Sequence, residues 1–138
     1  MGTGAHYGKR VRQPVAAAPA LRRPSLLLLD VAAVVGFAAI GRSSHAEGLS
    51  ATGVAGTAAP FLAGTVVGWL LARAWQQPAS LPVGAVVWVA TVAGGLALRG
   101  AAGNPPPLPF AVVATVTLGV GLTGWRLLAR LPSVSVTE

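Results

Sequence analysis

Ser25-Leu-Leu-Leu-Leu-Asp30-Val-Ala-Ala-Val-Val-Gly-Phe-Ala-Ala-Ile-Gly41 carries a single charge and is otherwise almost wholly apolar. As a helix it is long enough to cross, or nearly cross, the hydrocarbon core of a bilayer, which takes about 20 residues with a tolerated range of about 17–25. Three more stretches of this kind follow, at residues 51–72, 83–98 and 110–127, separated by short basic or Pro/Gly-rich breaks. None alternates with the period of a membrane strand. The pattern predicts an all-α fold, a four-helix transmembrane bundle over residues 25–130.

Composition points the same way. Hydrophobic residues make up 54% of the 138 residues and charged ones 9%, with a mean hydropathy of +0.69. Soluble domains carry about 25% charged residues, so this chain has too few charges to build a solvated skin. It has no cysteine, which excludes disulfides and thiolate metal sites. The net charge is +7, but the basic residues flank apolar segments, so topology and anionic lipid account for them and nucleic acid is not an expected partner.

Residues 1–24 are polar, rich in Gly, Ala and Pro, and carry Lys9, Arg10, Arg12, Arg22 and Arg23. They read as a disordered basic tail with little apolar surface to bury, and residues 131–138 as a short polar tail. Pro82 suits the first turn of the third helix, and the four prolines of residues 101–109 interrupt the helical pattern. With the N-terminus in the cytoplasm, Lys9, Arg10, Arg12, Arg22, Arg23, Arg73, Arg126 and Arg130 collect inside and only Arg42 and Arg99 outside. The positive-inside bias therefore predicts a multi-pass protein of a bacterial plasma membrane with both termini cytoplasmic. Trp69, Trp75 and Trp125 then fall near the inner interface. Arg22-Arg23 is similar to a twin-arginine signal and Ser44-His45-Ala46 to a cleavage site. Against processing stand the length of the apolar run, Asp30 within it and the three spans that follow.

Gly68-Trp69-Leu-Leu-Ala-Arg73 recurs as Gly124-Trp125-Arg-Leu-Leu-Ala-Arg130 with one residue inserted, and Pro60-Phe61 and Pro109-Phe110 stand near the starts of the same two helices. Duplication of a helical hairpin, giving two like-oriented hairpins, explains this; the liking of helix ends for Trp and Arg at an interface explains it as well.

Asp30 is the principal polar candidate. An ionised carboxylate facing lipid is costly, so it should face the bundle and find a cation. Arg126, one turn inside Arg130 on the same side, is the expected partner, and Arg73 the second. The pair is either a proton- or substrate-coupled carboxylate or a buried ion pair that fixes packing. The outer cluster of Arg42, Ser43, Ser44, His45 and Glu47 offers acid–base groups and an anion-binding arginine, with Arg99 in the neighbouring outer loop. It otherwise reads as a solvated loop with a helix cap. One His and one Glu fall short of a metal site, so no metal and no cofactor is implied. Gly56, Pro60, Gly64 and Gly68 recur every fourth residue as a ridge for close helix packing, within the chain or between chains. Phosphate-loop, nucleophile-elbow, zinc and dinucleotide motifs are missing.

Asp30…Gly36-Phe-Ala-Ala-Ile-Gly-Arg-Ser-Ser-His-Ala-Glu-Gly48, Pro60-Phe61, Gly68-Trp69…Arg73-Ala74-Trp75 and Gly124-Trp125-Arg126 together resemble the bacterial domain of unknown function 3054 family. The resemblance spans about residues 26–128, and the run of prolines 105–107 stands apart from it. It implies a four-helix integral membrane protein and brings no established activity. The sequence is thus read as an accessory or structural membrane component, associating with itself or a larger complex and lacking enzymatic chemistry. The alternatives are a small dimeric transporter using Asp30 and a lipid-modifying enzyme using His45 and Glu47.

Overall fold

The computed structural model describes residues 23–43 and 48–131. The 3-10 turn Pro24–Leu27 leads into α1 (Leu28–Ser43), followed by α2 (Ala51–Ala72), α3 (Leu81–Ala101) and α4 (Leu108–Leu128). Each span is long and apolar enough to cross a membrane, and the chain is a multi-pass, all-α membrane protein. The helices form a ring in which α1 touches α2 and α4, and α3 touches α2 and α4.

Caps set the boundaries. Ser50 precedes α2 and its Oγ accepts from the Gly53 N–H at 3.0 Å, the usual work of an N-cap serine. Prolines open α3 and α4, at Pro82 and Pro109, where a missing N–H is harmless. Both helices accordingly start two residues earlier than the apolar pattern suggested. At the end of α2, Arg73 is left-handed with φ 48° and the Ala74 N–H returns to the Trp69 carbonyl at 3.0 Å, a closure that ends a helix abruptly.

Packing runs inside-out relative to a soluble bundle. Leu71, Val116 and Val120 are exposed, while Asp30, Thr65, Thr91 and Arg126 are wholly buried. Small residues bring α2 against α3. A Cβ added at Gly64 would lie 2.6 Å from the Ala90 carbonyl oxygen, and one at Gly68 2.9 Å from the Val87 Cα. Backbone approach this close supplies the van der Waals contact that replaces hydrophobic attraction in lipid. Across the same seam the Thr65 and Thr91 hydroxyls bond at 2.8 Å, and Thr65 Oγ1 also reaches its own helix at the Phe61 carbonyl. The Trp88 indole of α3 donates to the Thr115 carbonyl of α4 at 2.9 Å. Phe37, Phe61 and Phe110 cluster with ring centroids 5.3–6.2 Å apart, joining α1, α2 and α4.

Two expectations need correction. Gly56 is exposed and a Cβ there would meet nothing within 4 Å, so within the chain the close helix contact falls at Gly64 and Gly68 and not at Gly56. A helix turns about 100° per residue, so positions four apart advance about 40° each time and a ridge cannot stay on one face from residue 56 to 68. Pro60 and Pro109 are also not equivalent: Pro60 stands inside α2, whereas Pro109 is in the first turn of α4. Phe61 and Phe110, which follow these prolines, nonetheless meet in the same aromatic cluster.

Candidate functional site

Asp30 is the third residue of α1 and Arg126 lies in the last turn of α4. A carboxylate near a helix N-terminus and a guanidinium near a C-terminus each match the local dipole. The two meet end-on: Arg126 Nη1 donates to Asp30 Oδ1 at 2.7 Å and Nη2 to Oδ2 at 2.8 Å, with both side chains fully buried. This bidentate geometry is the strongest that an arginine and a carboxylate make.

The remaining acceptor positions are filled symmetrically. Trp125 Nε1 donates to Oδ1 at 2.8 Å and Trp69 Nε1 to Oδ2 at 2.9 Å. The repeated Gly-Trp ends of α2 and α4 thus converge on one carboxylate. Arg126 is held in turn by the Pro78 carbonyl, which accepts from Nε at 2.8 Å, and by the Leu122 carbonyl, which accepts from Nη1 at 2.6 Å. Its guanidinium also lies 4.3 Å from the centroid of the Trp125 ring, within cation–π range. Gly84 of α3 makes room, since a Cβ there would fall 2.7 Å from Arg126 Cδ. The connection between α2 and α3 tucks beneath the pair, with Ala74 and Pro78 buried. Asp30 accepts four hydrogen bonds and Arg126 gives four. No acceptor position on the carboxylate is left for an incoming proton or substrate.

Other candidate residues lie apart. Arg73 does not reach Asp30: it is exposed at the left-handed end of α2, and Trp69, one turn earlier, occupies the approach. Arg42 ends α1 at the opposite end of the bundle, where its guanidinium occupies the space a Cβ at Gly53 would need. Arg99 ends α3 and stacks 4.7 Å from the centroid of the Phe110 ring. Since α1 and α3 stand across the ring from one another, these two arginines pack on different neighbours. His45 and Glu47 lie outside the described residues. Among those described, no group of three or more His, Cys, Asp or Glu could hold a metal.

The residues that sequence reasoning missed are Trp69 and Trp125 as carboxylate donors, the Pro78 carbonyl and Gly84. The only local signal was the doubled Gly-Trp pair, which interface chemistry also explains.

A family model described as "Protein of unknown function (DUF3054)" matches residues 27–129. No curated protein and no solved structure matches the chain.

Proposed function

We propose that this chain, which belongs to the DUF3054 family, is an accessory or structural component of the membrane without enzymatic chemistry of its own. The closure of the Asp30 site supports this reading: the carboxylate is fully buried and all its acceptor positions are filled from within the chain. A coupling carboxylate needs a path and an open acceptor, and a buried pair of this kind serves instead to specify packing. Residence in the cell membrane with both ends cytoplasmic belongs to the same proposal. It is supported by the grouping of Arg23, Arg73, Arg126 and Arg130 at the Asp30 end against Arg42 and Arg99 at the other. Association with a second copy or a larger complex, also part of this reading, draws no support from Gly64 and Gly68, which pack within the chain. The helical glycines at which an added Cβ would meet nothing are Gly36, Gly41, Gly56, Gly100 and Gly124.

The test separates a packing pair from a coupling group. In detergent, Asp30→Asn leaves Arg126 buried without a counter-charge and lowers unfolding stability by about 3 kcal/mol, whereas the double replacement Asp30→Asn with Arg126→Gln, which removes both charges but keeps an acceptor for the indoles and a donor for the Pro78 carbonyl, recovers most of that loss. An Asp30→Asn protein as stable as the parent, or one whose loss the double replacement fails to recover, overturns the structural role.

A further inference from the structure

The pair at Asp30 neutralises Arg126 and leaves three exposed arginines at the same end of the bundle: Arg23 before the turn into α1, Arg73 at the end of α2, and Arg130 just past α4. Asp30 is the sole acid among the described residues. Trp69 and Trp125 reach the same carboxylate, so the ends of α2 and α4 share a common level. Arg73 and Arg130 lie four and five residues beyond it, about 6–8 Å along their chains at helical rise.

Between indole and arginine the two ends have the same sequence, Leu70-Leu-Ala-Arg73 and Leu127-Leu-Ala-Arg130. The residue by which the second copy is longer is Arg126 itself. In both, the leucines face outward: Leu70, Leu71, Leu127 and Leu128 are 53–71% exposed. Each end therefore turns its tryptophan in to the carboxylate, its leucines out to lipid, and an arginine beyond the apolar band. Arg73 holds its place at a conformational cost. It is the only non-glycine residue with positive φ among those described, in a helix-ending position that glycine fills without strain. Trp75, half-exposed beside it, has the amphipathic ring that prefers the headgroup level.

We propose that the ends 70–73 and 127–130 are matched binding sites for an anionic phospholipid. The acyl chains lie along the exposed leucines and the phosphate rests on Arg73 and Arg130. An anionic leaflet is the partner whose charge and apolar chains both fit.

Native mass spectrometry of the full chain from micelles holding equal phosphatidylglycerol and phosphatidylcholine tests this. The parent protein retains phosphatidylglycerol preferentially, and Arg73→Gln and Arg130→Gln each lower that preference by about fivefold. Arg73→Gly separates binding from folding, because it raises the unfolding temperature by relieving the left-handed strain yet still lowers the preference. Equal retention of the two lipids by the parent overturns the proposal. So does a preference that survives in the Arg73→Gln, Arg130→Gln double variant, which would assign it to the basic residues of the N-terminal segment. Displacement of the lipid by inorganic phosphate at equal concentration would remove the leucines from the site.

Discussion

Asp30 shows how much one residue can organise when it cannot reach water. A carboxylate within an apolar helix must be satisfied internally or excluded from the span, and here two indoles and a guanidinium from α2 and α4 complete it. Hydrogen bonds to a charged group contribute about 1.5–3 kcal/mol each. Trp69→Phe keeps an aromatic ring, though a smaller one, and removes one donor, so it should lower stability in a dodecyl sulfate titration by at least about 1–2 kcal/mol. Trp125→Phe should cost at least as much, because that ring also lies over the Arg126 guanidinium. If both variants unfold at the parent's midpoint, the indoles are interface anchors and nothing more. That Asp30 needs a cation was legible from the chain, and Arg126 followed from its place one turn inside Arg130. The indole donors were not, because a tryptophan near a helix end satisfies the rules of a membrane interface whichever way its ring points.

At the scale of the elements, the α2–α3 seam depends on glycines that no side chain could replace. Gly64→Ala drives a methyl into the Ala90 carbonyl and the Thr91 backbone, and Gly94 across the seam is equally tight against the Gly64 Cα, at 2.9 Å for an added Cβ. Because both neighbours are backbone, the helices must separate, and a loss of about 2 kcal/mol is expected, as in other overpacked cores. Gly56→Ala meets open space on the same helix and should stabilise by up to about 1 kcal/mol through helix propensity. Thermal unfolding of the two variants in one detergent compares them directly, and equal shifts would show that the ridge packs along its whole length. The spacing of four revealed the motif. Which part of it touches α3 depends on the drift of a 3.6-residue helix past its neighbour, and hence on where the two axes cross.

At the scale of the whole molecule, the Asp30–Arg126 pair joins the first and last helices and closes the ring, while the α2–α3 connection seals it from below through Pro78. Four spans crossing in alternating directions are expected to put the α1–α2 connection and the C-terminus on opposite faces of the membrane. Reporter fusions at Gly48 and Glu138 should therefore report opposite compartments, and a common one would overturn the topology. The four spans, the all-α class and the need to pair Asp30 were determined by the sequence alone. They rest on length and apolarity, which a bilayer of given thickness reads residue by residue. The tertiary structure decided which partners meet. It turned both Gly-Trp ends toward one carboxylate, kept Arg73 away from it, and used half of the glycine ridge. Each of these depends on the rotation and tilt of one helix against another, quantities that no single stretch of chain contains.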